Sequence, residues 1–140
     1  FHLKQTDNEI VFIGGGAGMA PLRSQISNLF DSNPTNRLIS FWYGARSERE
    51  LFYQDYFEFL DKSFDNFSFN VGLSASTATD NNQFKIGFIH EIVYDNYLKS
   101  KANLSKIEFY LCGPPKMITA CKKMLYDIGV KSQNILYDQF

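Results

Sequence analysis

Ile10-Val11-Phe12-Ile13-Gly14-Gly15-Gly16-Ala17-Gly18-Met19-Ala20-Pro21 is the stretch on which the fold turns. Four apolar residues end in glycines at 14, 15, 16 and 18, and Leu22, Ile26, Leu29 and Phe30 then recur at helical spacing. This reads as a buried strand, a tight turn and an amphipathic helix. Glycines let a backbone come close to a ligand, and Pro21 suits a first helical turn. A helix that starts there offers free N–H groups and a favourable dipole to a phosphate. The common dinucleotide fingerprint G-x-G-x-x-G is absent. Counted from Gly14 its third glycine falls on Met19, and from Gly16 on Pro21. No Gly-Lys-Ser/Thr follows, so a Walker loop is excluded too. A plain turn without a ligand is the alternative, but it does not need four glycines.

A second turn of the same kind is Cys112-Gly113-Pro114-Pro115-Lys116-Met117, again between an apolar run and a helical pattern. Strands are expected over 10–13, 38–43, 67–73, 107–112 and 134–137. Helices are expected over 21–30, 48–60, 87–98 and 115–128, the last closed by Gly129. Residues 31–36 form a turn cluster, and 74–83 are polar and read as a loop. Strict alternation predicts an α/β domain, a doubly wound, five-stranded parallel sheet of Rossmann-like type. In such sheets ligands sit beyond the carboxyl ends of the strands, at the switch point. If the strands over 10–13 and 107–112 are neighbours, both turns border one crevice.

At 140 residues, 44% hydrophobic and 21% charged, the chain is one packed domain rather than a disordered tail. A net charge of −1 argues against nucleic-acid binding, which needs a basic face. No apolar run is long enough to span a bilayer, and no signal peptide opens the sequence. The chain begins at Phe1, so it reads as a piece of a longer polypeptide. Two cysteines, Cys112 and Cys121, make neither a disulfide framework nor a zinc set, and fit a reducing compartment. Cys121 is expected in the core and His90 in a structural role. Cys112 on these grounds is either a buried small hydrophobe or part of a site.

Gly16-Ala17-Gly18-Met19-Ala20-Pro21 with Arg23-Ser24, and Cys112-Gly113-x-x-x-Met117, resemble the two signatures of the ferredoxin–NADP reductase superfamily. Within it, 11–24, 40–46, 87–98 and 112–117 resemble the F subunits of sodium-translocating NADH:quinone oxidoreductases. The resemblance implies a domain that holds NADH with its C4 facing a flavin. Hydride then passes to FAD, and electrons leave singly through a 2Fe-2S centre to quinone, coupled to sodium export. FAD and 2Fe-2S would belong to the rest of the polypeptide. The flavin-binding barrel, with its Arg-x-Tyr-Ser signature, is missing here. On this reading residues 1–9 link from that barrel and 10–140 are the NAD(H)-binding domain. The partners implied are its own flavin-binding domain and other subunits of a membrane complex. The place implied is the cytoplasmic side of the bacterial inner membrane, and the piece alone is expected to be inactive.

The same resemblance names site residues. Gly15, Gly16, Ala17, Gly18, Met19 and Pro21 form the first turn, and Cys112, Gly113, Pro114, Pro115 and Met117 the second. The NADP-dependent members have a Ser-Arg pair after the third strand, where this chain has Ser74-Ala75, so NADH is favoured. Phe88 falls where an aromatic stacks on adenine. Lys85, Arg46 and Arg49 are the cations that bear against that preference. Arg46 and Glu50 follow the second strand, where Glu50 would accept from a ribose hydroxyl, or the two form only a solvated salt bridge. Cys112 would help place the nicotinamide without acting as a nucleophile. Phe140 would cover the flavin until NADH displaces it. Two other readings stay open: the reductase component of a multicomponent oxygenase, and a nucleotide-binding domain without hydride chemistry.

Overall fold

A computed structural model of the chain describes residues 2–75 and 84–140. Six parallel strands form one sheet: β1 (Glu9–Gly15), β2 (Ile39–Ala45), β3 (Phe67–Leu73), β4 (Lys85–Ile86), β5 (Ile107–Gly113) and β6 (Ile135–Gln139). Their order is β4-β3-β2-β1-β5-β6. The central strands are apolar on both faces, as a sheet covered by helices on both sides requires. Helices α1 (Met19–Phe30) and α2 (Gln54–Ser63) cover one face, and α3 (Ile89–Asn96) and α4 (Pro115–Asp127) the other.

The two faces follow from alternation along the strands. Ile10 and Phe12 of β1, with Phe41 and Tyr43 of β2, pack under Leu22, Ile26 and Phe57. Val11 and Ile13, with Trp42, Phe109 and Leu111, pack under Ile92, Val93, Ile118 and Cys121. Cys121 is therefore core, as its helical position predicts. Each large apolar side chain buried this way is worth about 1.5–3 kcal/mol against exposure.

Four features differ from the sequence expectation. The sheet has six strands rather than five. The extra one, β4, has two residues, which bond to Gly72 and Leu73 and are too few to leave a periodic signature. The strands run on through their glycines, and a 3-10 turn over Gly16–Gly18 precedes α1, which starts at Met19. The helix expected over 48–60 is broken. A 3-10 turn spans Glu48–Glu50, and α2 starts only after Tyr53, whose φ is 58°. Leu51 turns inward against the sheet there, and the Tyr53 ring lies 4.5 Å from the Arg23 guanidinium carbon. The helix expected over 87–98 shrinks to α3 and a 3-10 turn at Leu98–Ser100. Of the loop expected over 74–83, Ser74 and Ala75 are bends and 76–83 lie outside the described residues. The α4 stop at Gly129 is as expected: its φ is 94°, and the Val130 N–H returns to the Leu125 carbonyl.

β1 is bonded to both β2 and β5, with Gly14 opposite Cys112 and Gly15 opposite Gly44. The two glycine turns are thus neighbours. Gly18 seats directly on the end of β5, where a Cβ would lie 2.0 Å from the Cys112 carbonyl oxygen. At the opposite end of the sheet, Glu108 of β5 is buried. It accepts hydrogen bonds from Arg37 (2.8 Å), Tyr110 (2.9 Å), Asn8 (3.1 Å) and Thr6. Arg37 also donates to the Lys4 and Asn8 carbonyls. The group ties the 4–8 segment to the sheet. No helix among the described residues is long and apolar enough to cross a membrane.

Two outcomes follow. Gly18→Ala cannot be relieved by moving a side chain, because the obstacle is backbone, so it should lower unfolding stability by about 3 kcal/mol in guanidinium titration. Burial alone would raise the Glu108 carboxyl, but the bonds from Thr6, Arg37, Tyr110 and Asn8 outweigh it and hold it below its usual range. Its contribution is complete above the unfolded-state value and is lost as pH falls through the folded one. Glu108→Gln should cost about 3 kcal/mol at pH 7. It should also flatten the loss of stability seen in urea titrations below about pH 5.

Candidate functional site

A cleft of about 530 Å³ opens at the carboxyl ends of β1, β2 and β3. Its floor is Gly15, Gly16, Gly44 and Ala45. One wall is the start of α4, with Pro114, Lys116, Met117 and Ala120. The other is the start of α3, with Gly87, Phe88, Ile89 and His90, and Arg46, Glu50 and Ser74 close the end. The volume lies within the roughly 300–1,000 Å³ typical of cofactor sites. A larger cleft, about 900 Å³, lies at the amino ends of the strands between 2–7 and 33–37. It is polar, distant from both glycine turns and on the wrong end of the sheet for a switch-point ligand.

The floor is backbone because the strands end in glycine. A Cβ at Gly15 would meet Met117 Sδ at 2.7 Å, and one at Gly44 would meet the Ile89 Cβ at 2.9 Å. Both helices therefore sit low on the sheet, and the depth between them is free for a ligand. Phe88 is 61% exposed although apolar, which makes it a flat surface offered to the cleft. The His90 ring stacks against it with centroids 6.1 Å apart and planes 22° from parallel.

The structure brings together Gly15, Gly16, Arg46, Glu50, Ser74, Phe88, Pro114 and Met117 from the residues expected at the site. It does not bring all of them. Ala17, Pro21, Gly113 and Pro115 lie outside the cleft lining. Gly18 and Met19 are buried, with Met19 in the core beneath α1. The helix starts that line the cleft are those of α3 and α4, and the first turn contributes Gly15 and Gly16. Arg46 and Glu50 are joined: the Arg46 backbone N–H donates to Glu50 Oε1 at 3.0 Å, and Nε lies 3.7 Å from Oε2. Of the alternatives for this pair, the salt bridge is seen, and both residues also line the cleft.

Cys112 is fully buried on the α1–α2 face and does not line the cleft. Burial, followed by the nearby Asp138 carboxylate, pushes its thiol up to about 11. It is a neutral thiol at pH 7, in keeping with a non-nucleophilic role. Phe140 is 57% exposed, and its N–H donates to the Gly113 carbonyl at 3.0 Å. This bond places Phe140 at the second glycine turn.

Seven lining residues, Gly44, Ala45, Gly87, Ile89, His90, Lys116 and Ala120, are not among the site residues expected from sequence. His90, assigned a structural role, faces the cleft because it lies in the first turn of a helix that starts at the carboxyl edge of the sheet. Lys116 lies in the corresponding turn of α4. The signal available was position: residues one or two places inside a helix that follows such a strand point to the switch point.

Comparison with known proteins agrees with this geometry. Residues 12–123 match the family described as Oxidoreductase NAD-binding domain. The chain is 51% identical over all 140 residues to the F subunit of the Na(+)-translocating NADH-quinone reductase of Haemophilus influenzae strain PittGG, and covers 34% of it. Identity and coverage are the same for the corresponding F subunit of Klebsiella pneumoniae subsp. pneumoniae. The chain thus spans about a third of the length of the curated relatives it matches. Among solved structures, the ferredoxin reductase of carbazole 1,9a-dioxygenase is 28% identical with a TM-score of 0.78, over 100% of this chain and 40% of that one. The Amycolatopsis cytochrome P450 reductase GcoB shares the fold with a TM-score of 0.85 at 24% identity, over 100% of this chain and 41% of that one. The chain belongs to the family of oxidoreductase NAD-binding domains of the ferredoxin reductase type.

Proposed function

We propose that this domain binds NADH and presents it to a flavin carried elsewhere in the same polypeptide. The observation that carries the reading is the cleft itself: a glycine floor at the switch point, walled by an exposed aromatic and two helix starts. The adenine stacks on Phe88, and its ribose lies toward Glu50 and Ser74. The diphosphate crosses Gly15 and Gly16, where the backbone leaves room, and Lys116 balances its charge. The nicotinamide then reaches the edge marked by Gly113, Pro114 and Phe140.

When bound elsewhere in the polypeptide, FAD would accept the hydride, and a 2Fe-2S centre would give a one-electron exit toward quinone, coupled to sodium export. This chain's own work is position. Met117 and Pro114 border the floor, and Cys112 holds the Gly18 turn through its carbonyl. The neutral Cys112 thiol adds no charge behind the nicotinamide. Phe140, whose N–H donates to the Gly113 carbonyl, lies just beyond β6 with its ring more than half exposed, and would move aside to admit the nicotinamide. The identity near 50% to the F subunits of quinone reductases favours the quinone-linked role. The 28% identity to a dioxygenase reductase keeps the oxygenase partner as a second reading.

Calorimetric titration of the chain with NADH should give saturable binding that weakens about tenfold in Phe88→Ala, the scale of one lost base stack. Unchanged binding in that variant removes the adenine from this wall. Joined to a flavin-binding barrel, the chain should bleach FAD absorbance on addition of NADH. A flavin that stays oxidised would leave a binding module without hydride chemistry. The raised Cys112 thiol should be alkylated by iodoacetamide at pH 8 about 100-fold more slowly than a free cysteine, and labelling at the free rate would contradict its burial.

A further inference from the structure

We propose that Glu50 withholds Arg46 from a nucleotide 2′-phosphate, so that the ion pair at the end of β2 selects NADH over NADPH. This rests on NADH occupying the cleft as proposed. In doubly wound domains the loop after the second strand meets the adenosine ribose. An acidic residue there takes the 2′-hydroxyl, or an arginine accommodates the 2′-phosphate. This chain has both, and they are bonded to each other.

Three observations locate the pair. Arg46 and Glu50 line the cleft together with Ser74 and Phe88. The Ala75 N–H donates to the Arg46 carbonyl at 2.9 Å, and the Ser74 N–H to the Ala45 carbonyl at 2.9 Å. The end of β3 is therefore sewn to the Arg46 backbone. Of the cations near this edge, Arg46 lines the cleft, whereas Lys85 and Arg49 do not. The Glu50 carboxylate is the less mobile partner, because it accepts from backbone at 3.0 Å. The guanidinium side chain is 80% exposed and reaches back to it at 3.7 Å.

A 2′-phosphate brings roughly two negative charges. To use Arg46 it must approach a fixed carboxylate and take that carboxylate's counter-ion. A ribose hydroxyl has neither problem, since it donates to Glu50 and leaves Arg46 in place. With Glu50 made neutral, the same guanidinium is free to form a charge-assisted pair with phosphate.

The test is calorimetric titration of the chain with NADH and with NADPH, in the unaltered protein, Glu50→Gln and Glu50→Gln/Arg46→Ala. Circular dichroism confirms that each variant is folded. The unaltered chain should bind NADH the tighter. Glu50→Gln should lower the NADPH Kd about fivefold, the scale of one partly exposed ion pair, and removing Arg46 as well should abolish that gain. An NADPH Kd that does not move overturns the proposal. So does a gain that survives without Arg46, which would be simple charge repulsion. An unaltered chain that binds neither nucleotide fails earlier: it sinks the cleft as the NADH site and the inference with it.

Discussion

Two strand-to-helix turns meet at one point, where Gly18 rests against the Cys112 carbonyl with no room for even a methyl group. That contact sets the height of α1 over β5 and fixes the first turn against the second. β1 lies between β2 and β5, so any shift there moves the glycine floor on one side and the Gly113 corner on the other. The cleft is the space left over once this contact is made. Its shape depends on backbone, and backbone positions in a central parallel strand are held by hydrogen bonds on both sides.

The opposite end of the sheet works differently. There a buried carboxylate, Glu108, gathers donors from three separate stretches of chain, and Arg37 reaches two backbone carbonyls besides. Half-satisfied, such a group would be a liability in the interior; with four partners it fixes where the chain enters β1. The entering segment is then rigid relative to the sheet. Anything covalently joined before it would inherit that orientation. Polar bonding fixes the amino ends of the strands, and close-packed glycine the carboxyl ends.

The elements that sequence disclosed are those whose signal is local. Val11 to Phe30 shows a strand, a turn and a helix because apolar spacing changes from continuous to helical across four glycines. The neighbourhood of the two turns was conditional on the strands over 10–13 and 107–112 being neighbours, which the pairing of β1 with β5 supplies. What stayed hidden was long-range or too short. Glu108 and Arg37 are 71 residues apart, and neither side chain carries a pattern that announces the other. The break before α2 is invisible because Leu51 and Phe52 continue a helical apolar count, while the contacts that accompany it are long-range: Leu51 against the sheet, and the Tyr53 ring beside Arg23 on another helix. β4 has no room for periodicity. Within the site, Gly15, Gly16 and Phe88 are expected from sequence and line the cleft, whereas Gly44 is not foreseen. A single histidine has no pattern, and only the place where α3 starts shows that His90 lines the cleft.

A site built this way has consequences for how it can change. Its floor is glycine backbone, so ligand shape is fixed by atoms that substitution can only crowd. The adjustable parts are at the rim: Phe88 and His90 on one helix start, Lys116 on the other, Arg46 and Glu50 at the end of β2. These carry charge and flat surface rather than structural load, since none of them anchors the core. Preference among nucleotides can therefore drift by surface substitutions that leave the fold untouched. The edge near Gly113 cannot drift so easily, because it is tied to the Gly18 contact, and a change there costs stability first.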